Sequence, residues 1–180
     1  MIAFRELQAA DLKFLIAVRN ACRGMLHDDA EFSLEQAQEW FRVTRPRFYM
    51  VMLDNSPIGY FRTSNWDAVN GSVCVGCDLH ADYQGKGLAR EAYRIFLRFL
   101  FEHCGMNRVS LEVLVHNERA KRLYRRLGFV FEGISPKKIW RDGRHLESLV
   151  MSMRKSEFNS RYGPCEQTER RPAERASAAK

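Results

Sequence analysis

Residues 84–89 read Gln84-Gly85-Lys86-Gly87-Leu88-Ala89, and two different periodicities meet there. Before them, Val73 to Leu79 is an apolar, β-branched run of strand length. After them, Leu88, Ala92, Ile95, Phe99 and His103 recur every three or four residues, which predicts a helix with one covered face. A strand that turns into a helix through glycines leaves the first helical amides without partners. Those amides, aligned with the helix dipole, suit a phosphate. Gly85 and Gly87 lack the Cβ atoms that would keep a ligand off the main chain. The spacing is not a Walker loop, because no Gly-Lys-Ser/Thr follows. It is not a Rossmann turn either, because no acidic residue ends a second strand about 20 residues on. Taken alone, the same letters also fit a helix start that needs glycines only to turn.

A second stretch narrows the choice. Residues 111–129 read Leu-Glu-Val-Leu-Val-His-Asn-Glu-Arg-Ala-Lys-Arg-Leu-Tyr-Arg-Arg-Leu-Gly-Phe. Val109 to Val115 reads as a strand. Ala120, Leu123, Tyr124 and Leu127 mark one face of a short helix, and Gly128 is its stop. The Gln-Gly-x-Gly-x-Ala turn, followed by Leu-Glu-Val, Asn117, Leu123-Tyr124 and Gly128-Phe129, resembles the GNAT acyltransferases over roughly residues 1–154. Within that family it is similar to the enzymes acting on ribosomal-protein N-termini, polyamines and nucleotide-linked amino sugars.

The resemblance implies an α/β fold: a twisted mixed sheet flanked by helices. The strands at 73–79 and 108–115 splay apart, and acetyl-CoA enters the wedge as co-substrate. It also implies roles. Gln84, Gly85, Lys86, Gly87, Leu88, Ala89 and Arg90 would hold the pyrophosphate, mainly through main-chain amides. Leu79, with Asp78 beside it, would offer backbone groups to the pantetheine, which Asn117 would touch, and Cys77 would sit near the acyl group. Glu112 matches the catalytic base, and Tyr124 matches the tyrosine that reaches the CoA sulfur. From the residues alone, a glutamate inside an apolar strand is unexpected, and Asn117 is equally a helix N-cap. Glu39, Asp78 and Asp82 are weaker bases, and His80 and His116 flank the expected cleft.

The chemistry needs such groups. An alkyl amine has a pKa of ~10.4, so only about a few molecules in ten thousand are neutral at pH 7. A general base contributes roughly 10²–10⁴-fold. A phenol of pKa ~10 facing a thiol of ~8.5 favours hydrogen bonding to the leaving thiolate over full proton transfer.

Composition sets the frame. The 180 residues predict one domain, 1–154, with a basic tail, 155–180, expected to be disordered. The net charge is +7, and residues 154–180 contribute seven basic and four acidic side chains to it. A modest positive field suits a cofactor with several phosphates. The N-terminus lacks a long apolar core, so no signal peptide and a cytoplasmic location are expected. Five cysteines argue against a disulfide framework. Cys74-Val-Gly-Cys77 has no second pair, so no metal is expected.

The remaining elements read in order as a strand at 2–7, a helix after Asp11, a helix capped by Ser33 and Gln36, and a hairpin of strands 47–53 and 58–63 turning at 54–57. An Asn70-Gly71 type I′ turn follows, and the chain ends in strands at 129–134 and 146–153. The acceptor pocket is expected from residues 20–45, the 54–57 hairpin and the 135–146 loop. Asp28, Asp29 and Glu31 would hold a cationic amine, or would be a solvated loop.

The function expected is acetyl transfer to a primary amine of a small molecule, by direct attack in a ternary complex. A nucleotide-linked amino sugar is the first reading, and a polyamine or a ribosomal-type protein N-terminus the alternative. A non-catalytic CoA-binding or nucleic-acid-associated protein is the reading from another class. The expected partner is therefore a small-molecule amine. A homodimer is left open, and neither a membrane nor a nucleic acid is expected.

Overall fold

The computed structural model describes residues 1–163, and its sheet opens at the strand that feeds residues 84–88. The elements in chain order are β1 (Ile2–Glu6), α1 (Leu12–Cys22), α2 (Leu34–Thr44), β2 (Phe48–Leu53), β3 (Ser56–Asp67) and β4 (Ser72–Leu79). Then come α3 (Leu88–Arg98), β5 (Arg108–Leu114), α4 (Glu118–Leu127), β6 (Val130–Arg141), β7 (Arg144–Arg154) and α5 (Lys155–Tyr162). The strands form one sheet in the order β1-β2-β3-β4-β5-β7-β6, antiparallel except where β4 meets β5. This is the mixed, helix-flanked sheet that the resemblance implies.

Each face of the sheet buries its own cluster. On one side, α3, α4 and α5 cover Val73, Val75, Val109, Leu111 and Val113, and Phe61 stacks on Phe96 with ring centroids 4.1 Å apart. On the other, α1 and α2 cover Met50 and Tyr60 with Leu12, Leu15 and Val18. Each such side chain contributes about 1.5–3 kcal/mol on burial. Among the described residues no helix is long and apolar enough to cross a membrane.

Local chemistry sets the boundaries. The Ser33 hydroxyl accepts the Gln36 amide at 3.3 Å, and the Gln36 side chain accepts the Ser33 amide at 2.8 Å, which is the capping box the sequence predicts. Gly128 takes φ 102° and closes α4. Asp11 precedes α1 but does not cap it with its side chain. Its carboxylate takes both Arg5 Nη atoms at 2.7 Å and the Gln8 amide at 2.9 Å, which shapes a 3-10 turn instead. Asp54 and Asn55, both with positive φ, form a two-residue turn, so β3 starts at Ser56 rather than 58.

Asn70-Gly71 is not a type I′ turn, because only Gly71 has positive φ. The Asp67 carboxylate instead gathers the Val69 and Asn70 amides at 3.0 and 2.9 Å. The Gly71 carbonyl then accepts the Asn107 and Arg108 amides, which seeds the β4–β5 pairing.

The tail departs from expectation. Residues 155–162 form α5, so the domain does not end at 154. Phe158 is fully buried and lies 5.3 Å from the Phe101 ring, and the Tyr162 hydroxyl donates to the Leu127 carbonyl at 2.8 Å. Two apolar residues four apart anchor a short helix whose polar remainder reads as tail. Residues 164–180, including Cys165, lie outside the described residues.

Candidate active site

β4 and β5 pair only through Ser72–Arg108, Val73–Val109 and Cys74–Ser110. Beyond that point β4 stays with β3 as far as Leu79, and β5 stays with β7 as far as Leu114. The strands therefore part, as the resemblance implies, and residues 75–79 show a free edge to the gap. The Gly turn stands at the end of this edge. Gly85 and Gly87 have φ of 78° and 81°, a region that costs other L-residues strain. Gly87 also begins α3 without a side-chain cap. Among the described residues nothing accepts the amides of residues 85–89, which lead into the positive end of α3. Lys86 and Arg90 are exposed beside them. Those donors and the glycine conformation fit the phosphates of CoA.

Gln84 bridges the two walls. Its Nε2 donates to the Leu79 carbonyl at 2.6 Å, and its Oε1 accepts Arg119 Nη1 of α4 at 2.7 Å. Across the gap, Tyr124 projects from α4 against Tyr93 and Phe129, and its hydroxyl lies 3.4 Å from that of Tyr93. Burial pushes its pKa up to about 12, so it is a neutral donor at ordinary pH. Burial likewise pushes the Cys77 thiol well up, which leaves no thiolate nucleophile there. Asn117 is the N-cap of α4, its side-chain oxygen accepting the Ala120 amide at 3.1 Å.

Glu112 sits on the other face of β5, opposite Val150 of β7 and half-buried. Its Oε2 is 3.6 Å from His27 Nε2, and that nitrogen is 2.8 Å from the hydroxyl of fully buried Ser148. His27 lies on the loop after α1, and Arg141 of β6 fixes that loop. Arg141 donates to the Gly24 and Leu26 carbonyls at 3.0 and 2.8 Å and pairs with Asp29 at 2.8 Å. A carboxylate, an imidazole and a hydroxyl are thus assembled from three separate elements.

His27 also lines a cavity of about 300 Å³ between α1, α2 and the sheet. Its walls are mostly apolar, with Trp40, Phe48 and Tyr60 in contact along one side. Its charged groups are Arg19, Asp28 and Arg62. Arg19 is committed, pairing with Asp28 at 2.8 Å and covering the Phe32 ring at 4.0 Å. Arg62 meets buried Asp78, Nε to Oδ2 at 3.1 Å. Burial works against the Arg62 charge, but Asp78 outweighs it and raises the pKa above that of an ordinary arginine.

The sequence matches the acetyltransferase (GNAT) domain family over residues 2–130. A prophage-derived N-acetyltransferase of Bacillus subtilis is 30% identical over 129 residues, covering 72% of this chain and 73% of its own. The chain belongs to the GNAT acetyltransferases. A spermidine N(1)-acetyltransferase of Vibrio cholerae is 23% identical over 167 residues, covering 89% of this chain and 96% of its own. The crystal structure of the V. cholerae spermidine N-acetyltransferase with CoA and spermine superposes with a TM-score of 0.82 at 22% identity, over 87% of this chain and 97% of that one. The protein is thus an N-acetyltransferase, and acetyl-CoA is its acyl donor.

Within this GNAT domain the predicted residues fall into two groups. Cys77, Leu79, Gln84 to Arg90, Asn117 and Tyr124 gather around the wedge. Glu112 joins His27 on the opposite sheet face. Asp78 can offer only main chain to the wedge, because its carboxylate is held by Arg62. Glu39 pairs with Arg42 on exposed α2, and Asp82 is exposed beside His80. His116 is exposed. Asp28, Asp29 and Glu31 are each matched by an arginine, namely Arg19, Arg141 and Arg23. No described residue of the 54–57 hairpin lines the cavity. Ser148, Arg141 and the Arg62–Asp78 pair were not singled out from the sequence. A signal exists for Arg62: strand alternation puts it on the same face as Tyr60, where a charge is out of place.

Proposed function

We propose that the protein acetylates the primary amine of a small molecule held in the cavity beside His27. The observation that carries this is the junction of that cavity with Glu112, since His27 lines the one and touches the other. Glu112, directly or through His27, takes the proton from the incoming ammonium. The neutral amine nitrogen then bonds to the thioester carbonyl carbon, the carbon–sulfur bond breaks, and the nitrogen's remaining excess proton passes to the departing sulfur, giving the free thiol. Tyr124 donates a hydrogen bond to the departing sulfur, and the amides of residues 85–89 hold the phosphates. Arg141 positions His27 and touches no reactant.

On the acceptor, Arg62 in the cavity and the matched carboxylates of the 28–31 loop support an amine that also carries negative charge. A phosphorylated or nucleotide-linked amino sugar has that property. The second reading, a polyamine, is favoured by the spermidine acetyltransferases among the relatives. The test is release of free thiol from acetyl-CoA with a panel of amino sugar nucleotides, polyamines, amino acids and peptides with free N-termini. Turnover with one class should fall by roughly 10²–10⁴-fold in kcat for Glu112→Gln. Absence of thiol release with every acceptor, despite acetyl-CoA binding, would remove the proposal and leave a non-catalytic CoA-binding role.

A further inference from the structure

We infer that the acceptor carries a carboxylate on an apolar body, and that Arg62 is the specificity residue that receives it. This rests on the small-amine reading and narrows it. Arg62 lines the cavity, and Asp78 occupies only one edge of its guanidinium, through Nε at 3.1 Å and Nη2 at 3.5 Å. Among the described residues nothing accepts from Nη1.

The placement is built into the sheet. Gly76 lies directly across from Arg62 on β4, and a Cβ there would come within 2.8 Å of Nη2. The backbone thus leaves room for the guanidinium against the strand, and buried Asp78 fixes its orientation. The Arg62 side chain is 36% exposed, so Nη1 is met by water until an anion displaces it, and a charge-assisted bond to carboxylate is among the strongest available.

The other walls say what accompanies the carboxylate. Leu15, Leu26, Trp40, Phe48 and Tyr60 offer apolar and aromatic surface. A sugar bristling with hydroxyls would leave most of its polar groups unpaired on these walls. A polyamine would bring further positive charge toward Arg62, a repulsive element that selects against it. An amine with an apolar or aromatic group and a carboxylate, in the manner of an amino acid, satisfies all three surfaces.

The experiment compares matched triplets at saturating acetyl-CoA. One is phenylalanine, phenylalaninamide and phenethylamine. The other is 4-(aminomethyl)benzoate, its amide and 4-methylbenzylamine, which separates amine from acid by a longer span. In at least one triplet the acid should exceed its amide in kcat/KM by roughly 10- to 100-fold, mainly through KM. Arg62→Met should bring the ratio toward one while leaving acetyl-CoA affinity unchanged. If Arg62→Met does not fold, Arg62→Lys keeps a charge beside Asp78 and loses the fork, and Gly76→Ala displaces the guanidinium without removing it. Either should reduce the preference several-fold. Amides or decarboxylated amines that match or beat the acids in both triplets overturn the inference and leave the small-amine reading standing. A preference retained in a folded Arg62 variant also overturns it. Absence of thiol release with every amine, polyamines and amino sugars included, removes both.

Discussion

Tyr124 shows how one side chain can be read in two ways that a measurement separates. Its ring belongs to the core, packed on Tyr93 and Phe129, while its hydroxyl stands near the parted strands. Burial holds its pKa at about 12, so the phenol is a donor at every pH at which the enzyme would be assayed. The shift has a consequence for stability. The unfolded tyrosine releases its proton near pH ~10 and the folded one near 12, so between these values the folded state binds more protons. The resulting stabilisation is fully present below about pH 10 and is lost as the pH rises through 12, by roughly 2–3 kcal/mol. The melting temperature should therefore fall between pH 9.5 and 11.5, as an experimental range around about 10, and the fall should be shallower in Tyr124→Phe. Equal slopes in the two proteins would assign the alkaline loss to other groups, such as Tyr93, whose pKa burial also raises. In the assay Tyr124→Phe should reduce kcat by less than Glu112→Gln does, because it removes one hydrogen bond and not the base.

At the scale of elements, α5 is where composition misleads. Lys155–Tyr162 is polar apart from Phe158 and Tyr162, and by residue count it belongs with the charged stretch that follows. Yet Phe158 is fully buried beneath α3, and Arg98 of α3 stands 5.6 Å over its ring. Arg161 and Tyr162 tie the same helix to the end of α4 through the Arg126 and Leu127 carbonyls. This short helix thus supports both helices that frame the wedge. Phe158→Ala should cost about 3–5 kcal/mol, the range for emptying a buried aromatic site. Denaturant unfolding followed by tryptophan fluorescence would show it as a lower midpoint with an unchanged slope. A loss below about 1 kcal/mol would mean that α5 contributes little to the stability of the domain.

For the whole molecule, the sequence was legible at most points where a local rule acts, Asn70-Gly71 and Asp11 being exceptions, and silent wherever strands meet from a distance. The Gly turn, the Ser33–Gln36 box, the Gly128 stop and α4 depend on neighbours within a few residues, and the structure has them where the letters place them. His27 beside Glu112 joins positions 85 residues apart in sequence, and Arg141 holds Leu26 across 115. No periodicity encodes such meetings; they follow from the order in which β5, β7 and β6 pair. Charge is the one whole-molecule property read directly from the sequence, and it carries a prediction. The chain is +7, and Lys86 and Arg90 are exposed at the Gly turn that ends the wedge. Attraction between exposed charges weakens as the Debye length falls from ~10 Å at 0.1 M salt to ~3 Å at 1 M. The Kd for acetyl-CoA should therefore rise about threefold or more over that interval, as titration calorimetry would record. The amides of residues 85–89 would meet a phosphate at contact distance, where salt screens far less. Substituting both Lys86 and Arg90 by Gln should flatten the salt dependence while leaving measurable binding. If binding vanished in that variant, side-chain charge rather than the backbone cradle would hold the phosphates.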